Sequence, residues 1–150
     1  MTTTELVAAL RFAGEELRAL VESLPADRLE RPEADGWTAR QVLAHLADFE
    51  LIAAVRVRMV LTQDRPALAN YDQDGFTERF GRLEPAAEAL ERFEVNRLAT
   101  TRVLESLGGA DWERPGLHPV RGEETLRQTV EKVAEHDRGH LEQLRQAAGA

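Results

Sequence analysis

The stretch "GWTARQVLAHLADFE", residues 36 to 50, contains the best-marked helix start in the chain. Thr38 can cap the helix, Gln41 completes a capping box, and Trp37 with Val42 makes a hydrophobic staple. An apolar stripe then continues to about residue 62 and consists of Val42, Leu46, Phe49, Ile52, Ala53 and Val60. The sequence therefore predicts a long amphipathic helix.

Two flanking segments show the same helical period. The first covers residues 4 to 24 and stops at Pro25. The second starts near Pro85, because proline is favoured in a first helical turn, and ends at Gly108. The residues expected to face inward are Leu6, Leu10, Ala13, Leu17, Val21, Leu24, Ala86, Leu90, Phe93, Leu104 and Leu107.

No stretch alternates apolar and polar residues well enough to predict a sheet. A fourth helix opens with Thr125 and Gln128 as a second capping box. Its buried side is expected to hold Leu126, Val130, Val133, Leu141 and Leu144. The fold class is all-α, a single domain over residues 1–150 that packs most simply as an antiparallel four-helix bundle. The long connections, residues 62–76 and 110–124, are candidates for lining a site, and the first is not expected in the core.

The charge and the composition of the chain argue against several classes of function. A formal charge of −8 with interspersed Arg and Glu argues against a nucleic-acid surface. The chain has no cysteine, so it offers no disulfide, thiolate ligand or thiol nucleophile. The start "MTTTELVAAL" lacks signal-peptide features, and no segment has the length needed to span a bilayer. We expect a cytoplasmic protein with a small-molecule substrate and no nucleic-acid or membrane partner.

Two of the four histidines, His136 and His140, stand four apart on one helix face. This spacing permits two ligands to one metal ion, and a partly buried pair bonded to a carboxylate is the alternative. The segment "HDRGH" also resembles the HExxH motif of zinc proteases with Asp137 in place of Glu. Only ten residues follow His140, and they hold no suitable third ligand, so we reject a protease.

The third ligand must then come from upstream, and His45 lies on the buried stripe of the second helix. A core histidine bonded to a backbone carbonyl is the alternative. Three neutral imidazoles suit Zn²⁺ or Ni²⁺, with Fe²⁺ possible, and leave positions open for water or substrate. We do not count His118 as a ligand, because it lies in a loop rich in proline and glycine.

The segments "GWTARQVLAHLADFE", "YDQDGF", "GLHPVRGEETL" and "VAEHDRGHLEQLR" resemble the DinB-like superfamily of metal-dependent hydrolases, also called YfiT-like. The resemblance covers nearly the whole chain and does not concern the DNA polymerase of the same name. It implies an up-down-down-up four-helix bundle, a homodimer, and a divalent metal held by His45, His136 and His140. Relatives include mycothiol-dependent maleylpyruvate isomerase, bacillithiol transferases and the metal-binding domain of ergothioneine-forming enzymes.

The metal would activate either a low-molecular-weight thiol for S-transfer or a water for hydrolysis. In the case of hydrolysis, the candidates for proton transfer are Asp48, Glu50, Glu135 and Asp137. The alternatives are a non-catalytic dimeric bundle that binds a metal or ligand in a stress-related role, and a plain bundle with incidental histidines.

Three further residues are candidates for supporting roles. Arg97 could reach the site and stabilise developing negative charge, although snorkelling from a helix edge is the other interpretation. Asp48 and Asp137 could orient the imidazoles, or each could pair with an arginine. Tyr71 belongs to a loop that could close over the metal, but we favour ordinary turn chemistry there.

Overall fold

The computed structural model describes residues 1–31 and 36–148, and within them four long helices form a bundle. These helices are α1 (Thr3–Ser23), α3 (Ala39–Thr62), α5 (Ala86–Glu105) and α7 (Leu126–Ala148). Short helices α2 (Ala26–Leu29), α4 (Gln73–Phe80) and α6 (Gly109–Trp112) lie in the connections. A hairpin of β1 (Pro115–His118) and β2 (Gly122–Thr125) precedes α7. The predicted all-α four-helix bundle with two long connections is confirmed.

The predicted capping boxes set where two of the long helices begin. Thr38 Oγ1 accepts from the Gln41 backbone N–H at 3.1 Å, and Gln41 Oε1 accepts from the Thr38 backbone N–H at 2.9 Å. Thr125 and Gln128 make the same reciprocal pair, at 3.2 and 2.8 Å. Both pairs satisfy backbone donors that a helix start otherwise leaves without partners.

The direction of each long helix follows from two apolar clusters. One cluster joins the beginnings of α1 and α7 to the ends of α3 and α5 and includes Leu6, Val130, Val57 and Leu104. The other joins the opposite ends of the same four helices and includes Leu17, Leu144, Val42 and Leu90. Helices α1 and α7 are therefore parallel to each other and antiparallel to α3 and α5. This is the up-down-down-up arrangement, and it replaces the simpler antiparallel bundle.

The two long connections are more ordered than the sequence predicted. Leu68 in the first is 4% exposed and belongs to the core, so the expectation that this loop lies outside the core was wrong. Its backbone N–H donates to Leu117 O at 2.9 Å, which ties the loop to the hairpin. The hairpin escaped prediction because its inward positions are Gly116 and Glu124, so no apolar alternation marks the strands.

No helix among the described residues is both long enough and apolar enough to cross a membrane.

Candidate metal centre

Three histidines from two antiparallel helices meet near the middle of the bundle. His45 on α3 is 1% exposed, and His136 and His140 lie one turn apart on α7. The Nε2 atoms of His45 and His136 are 2.8 Å apart. The ring centroid of His140 is 4.6 Å from that of His45 and 4.4 Å from that of His136. One nitrogen from each ring lies within 4.8 Å of the other two, so all three can reach one ion.

The donor set fits a divalent transition metal. Burial, together with the neighbouring His136 and His140, lowers the pKa of His45 to about 3, so the His45 imidazole is neutral at pH 7. Two imidazole nitrogens approach to 2.8 Å only when a proton or a cation lies between them. A proton can join two rings, whereas a cation can accept a lone pair from all three.

Neighbouring side chains fix the orientation of the rings. Phe49 stacks on His136 with centroids 3.7 Å apart, and the Trp37 ring centroid lies 5.4 Å from that of His45. His140 Nδ1 and Gln143 Oε1 are 2.8 Å apart. Because an amide oxygen only accepts, Nδ1 is the donor in this bond, which leaves the lone pair of His140 on Nε2. Gln143 was missed in the sequence, although its position three residues after His140 places it on the same helix face.

A cavity of approximately 450 Å³ adjoins the centre. Its lining includes His136 and Phe49, which stack on each other, and the exposed residues Glu135 and Arg121. Residues of the two long connections also contribute to the lining, namely Asn70, Tyr71, Gln73 and His118. The cavity volume is in the range of pockets that bind small molecules. The histidine centre is therefore next to a space that reaches the protein surface.

The family model described as the DinB superfamily matches residues 9–144. This chain belongs to the DinB superfamily. The resemblance that the sequence motifs carried is thereby confirmed.

Two curated relatives show what this chain is similar to. A protein of Geobacillus thermodenitrificans named "Putative metal-dependent hydrolase" is 37% identical over an alignment of 115 residues that covers 73% of this chain and 63% of that protein. A protein of Oceanobacillus iheyensis with the same description is 30% identical over 106 residues, 71% of this chain and 62% of that one. The chain thus matches less than two thirds of the length of these relatives.

A solved structure of the same fold is that of YfiT from Bacillus subtilis. It superimposes with a TM-score of 0.87 at 24% identity, covering 98% of this chain and 87% of YfiT. YfiT is described as "a probable metal-dependent hydrolase with an unusual four-helix bundle topology". The shared fold agrees with the up-down-down-up arrangement of the two core clusters.

In this DinB-superfamily protein Arg97 binds two carboxylates, one of which belongs to Asp137, the residue that follows His136. Its Nη2 donates to Glu50 Oε2 at 2.7 Å and to Asp137 Oδ2 at 2.8 Å, and its Nη1 donates to Leu10 O at 2.8 Å. Arg97 is 4% exposed, so the snorkelling interpretation was wrong. It does not line the 450 Å³ cavity, and its catalytic role stays a prediction.

The two aspartates that were candidates for orienting imidazoles both pair with arginines. Asp48 Oδ1 accepts from Arg92 Nη1 at 2.8 Å, while Asp137 accepts from Arg97. Asp137 Oδ1 lies 3.9 Å from His136 Nδ1, which is beyond hydrogen-bond distance. Burial raises the pKa of Asp48, against the lowering effect of Arg92. A supporting role for either aspartate stays a prediction.

His118 is a turn residue that also faces the cavity. Its Nδ1 accepts from the backbone N–H groups of Val120 and Arg121, each at 3.1 Å. It does not belong to the histidine cluster. Asp72 likewise caps α4 through Gly75 N at 3.0 Å, as turn chemistry predicts, whereas the neighbouring Tyr71 lines the cavity.

Arg56 is a cavity residue that sequence reasoning missed. It lies on α3 at the wall of the cavity and is 6% exposed. The signal was present in the sequence, because Arg56 follows Ala53 by three positions and precedes Val60 by four. A charged residue at that spacing falls on the inward stripe of the helix.

Proposed function

We propose that this protein is a metal-dependent enzyme in which His45, His136 and His140 bind a divalent ion that activates a nucleophile. The observation that carries this proposal is the convergence of three histidines, one of which, His136, also lines an open cavity. Zn²⁺ and Ni²⁺ suit a trio of neutral imidazoles, and Fe²⁺ is the further candidate. The bound ion would lower the pKa of a thiol or of water so that the anion forms near neutral pH.

The nucleophile has two candidates. The chain has no cysteine, so S-transfer requires a low-molecular-weight thiol as cosubstrate. Hydrolysis requires only water, and the names of the curated relatives agree with it. Both reactions need a group that accepts the proton of the nucleophile.

Glu135 is the best placed acceptor for this proton. Of the four acids considered from sequence, Glu135 alone lines the cavity. A hydrogen bond from Lys132 lowers the pKa of Glu135, so its carboxylate is ionised at pH 7. Glu50 and Asp137 are buried on Arg97, and Asp48 is held by Arg92. We therefore assign proton transfer to Glu135.

The cavity also favours an enzyme over a non-catalytic bundle. A structural metal site is closed by protein ligands, whereas a reactive site keeps a position open to substrate. His136 belongs both to the histidine cluster and to the cavity wall. A ligand in the cavity could therefore approach the ion from that side.

Metal content measured by mass spectrometry on the untagged protein tests the site. The expected result is about one Zn²⁺ or Ni²⁺ per chain in the parent and loss of the ion in His45→Ala and His140→Ala. His118→Ala is the matched control, because His118 lines the same cavity without joining the cluster. No bound ion after addition of Zn²⁺ or Ni²⁺, or equal retention in all variants, would contradict the proposal.

Two assays on the metal-loaded protein separate the nucleophiles. One follows conjugation of a small thiol to a chromogenic electrophile, and the other follows hydrolysis of a chromogenic ester without thiol. We expect acceleration over the free ion in one assay, with a loss in Glu135→Gln of about a hundredfold, as for other proton-transfer groups. Rates equal to those of the free ion in both assays would count against an enzyme.

We also propose a homodimer in the cytoplasm, on the family resemblance stated above. Light scattering coupled to size-exclusion chromatography tests the dimer, for which the expected mass is twice the 16.8 kDa of the chain.

A further inference from the structure

Arg56 is a buried cation that is attracted by Glu124, but Glu124 is already bound by Arg121. It is 6% exposed, and among the described residues no carboxylate oxygen lies within ion-pair distance of its guanidinium. Its Nε donates to Ala69 O at 2.9 Å, which anchors the side chain to the loop after α3. The two Nη atoms make no hydrogen bond to the described parts of the chain, and Arg56 lines the cavity.

A second donor belongs to Tyr71, another residue of the cavity lining. The Tyr71 hydroxyl is buried and has no hydrogen-bond partner within residues 1–31 and 36–148. Burial raises the pKa of Tyr71 to about 12, so the hydroxyl keeps its proton at pH 7 and can donate. A buried polar group without a partner is costly, and a bound ligand would remove that cost.

The other cations at the cavity are already neutralised by carboxylates. Arg121 donates to both oxygens of Glu124, at 2.8 and 2.9 Å, and Lys132 donates to Glu135 at 2.8 Å. Arg56 therefore supplies the charge that a ligand can neutralise. One planar guanidinium matches one carboxylate, whereas a phosphate dianion would call for a second free cation.

We infer that Arg56 and Tyr71 form a subsite for the carboxylate of a small-molecule substrate or thiol cosubstrate. Because Nε is held by Ala69 O, the two Nη atoms present a fixed pair of donors to the carboxylate, and the Tyr71 hydroxyl adds a third. The rest of the ligand extends across the cavity toward His136. This inference rests on the proposed function in one respect: the proposed function places the reacting end of that ligand at the histidines.

Binding of a simple carboxylate to the ¹⁵N-labelled full chain, followed by NMR, tests the subsite. The probes are butyrate, its neutral amide butyramide, and inorganic phosphate. We expect butyrate to shift the Arg56 Nε–H signal and to bind at least about tenfold more tightly than butyramide, because a charged hydrogen-bonded pair is lost with the amide. Equal binding of butyrate and butyramide, or tighter binding of phosphate, would overturn the assignment to a carboxylate.

Variants identify the residues responsible. Arg56→Gln is expected to weaken butyrate binding at least about tenfold, and Tyr71→Phe about threefold. Arg58→Gln is the control, since Arg58 lies on the same helix but is exposed and donates to Ala54 O. Unchanged affinity in Arg56→Gln, or an equal loss in Arg58→Gln, would overturn the inference. Should Arg56→Gln fail to fold, the comparison of butyrate with butyramide on the parent chain remains decisive.

His45→Ala separates this inference from the proposed function. Butyrate that binds Arg56 is expected to bind His45→Ala within about twofold of the parent, because Arg56 and Tyr71 are untouched. Loss of butyrate binding in His45→Ala would show that the probe binds the metal and would overturn the subsite. A chain that binds no metal but still binds butyrate through Arg56 would contradict the proposed function and support the subsite.

Discussion

His45 and His136 are separated by 91 positions in the chain, yet their Nε2 atoms lie 2.8 Å apart. The antiparallel packing of α3 against α7 makes this contact, and His140 joins it because it follows His136 by one helical turn. The centre therefore depends on the register between two helices as well as on the three imidazoles. Changes that alter ring orientation without touching a ligand are expected to affect metal binding.

Phe49→Leu is expected to weaken Zn²⁺ binding about tenfold while leaving the fold intact, a loss typical of residues that orient metal ligands. The reason is the stacking of Phe49 on His136, with centroids 3.7 Å apart, which leucine cannot reproduce. Competition with a chelating dye measures the affinity. Phe12→Leu, at a position that is 60% exposed, is the control and should bind as the parent does. Equal affinities of Phe49→Leu and the parent would refute this role.

Arg97→Met is expected to lower the free energy of unfolding by roughly 3–5 kcal/mol, because it leaves Glu50 and Asp137 buried without their cation. Urea denaturation at pH 7 measures the change. Arg11→Met removes an exposed ion pair with Glu105, at 2.7 Å, and should cost at most about 1 kcal/mol. A loss in Arg97→Met no larger than in Arg11→Met would mean that the buried charges rearrange or become neutral.

Glu50→Gln should gain stability relative to the parent as the pH rises from 4 to 7. Burial raises the pKa of Glu50, against the lowering effect of Arg97. A raised pKa means that the folded parent loses stability as the pH rises from the unfolded value through the folded one, by about 1.4 kcal/mol per pH unit between them. Glutamine has no such proton to lose. Urea denaturation of both proteins across this pH range measures the difference.

Glu124→Gln serves as the opposite case for that experiment. Burial raises the pKa of Glu124, but hydrogen bonds from Arg121 and Thr129 outweigh it and the net shift is downward. The parent therefore loses stability relative to Glu124→Gln as the pH falls below 4.5 through the folded pKa. For the first variant, a difference in stability between Glu50→Gln and the parent that does not change with pH would disprove the raised pKa of Glu50.

Gly116→Ala is expected to cost about 1–3 kcal/mol, because a Cβ there would lie 2.9 Å from Val60 Cγ2 and 3.1 Å from Leu68 Cδ2. At Gly116 the hairpin lies close to both Val60 at the end of α3 and Leu68 in the preceding loop, so an added methyl group has no room. Thermal unfolding followed by circular dichroism measures the cost. Gly109→Ala is the control, since a Cβ at that position meets nothing within 4 Å, and it should be neutral or slightly stabilising. Equal melting temperatures of the two variants would argue against tight packing at Gly116.

The sequence by itself determined the four long helices, because their signals are local. The capping boxes at Thr38 and Thr125 form as predicted, and apolar spacing marks the buried sides. His136 and His140 share a face at a spacing of four, and His45 lies on an apolar stripe. Their meeting could therefore be predicted from periodicity and from the family motifs together.

Tertiary structure decided what depends on contacts between distant segments. Leu68 enters the core because its loop bonds to the hairpin, and Arg97 closes on Glu50 and Asp137 because α3, α5 and α7 converge there. Arg56 and Tyr71 face one cavity only after the loop folds back along α3. Local spacing places a charged residue on an inward face, but packing alone decides whether its partner is a carboxylate, a carbonyl or a ligand.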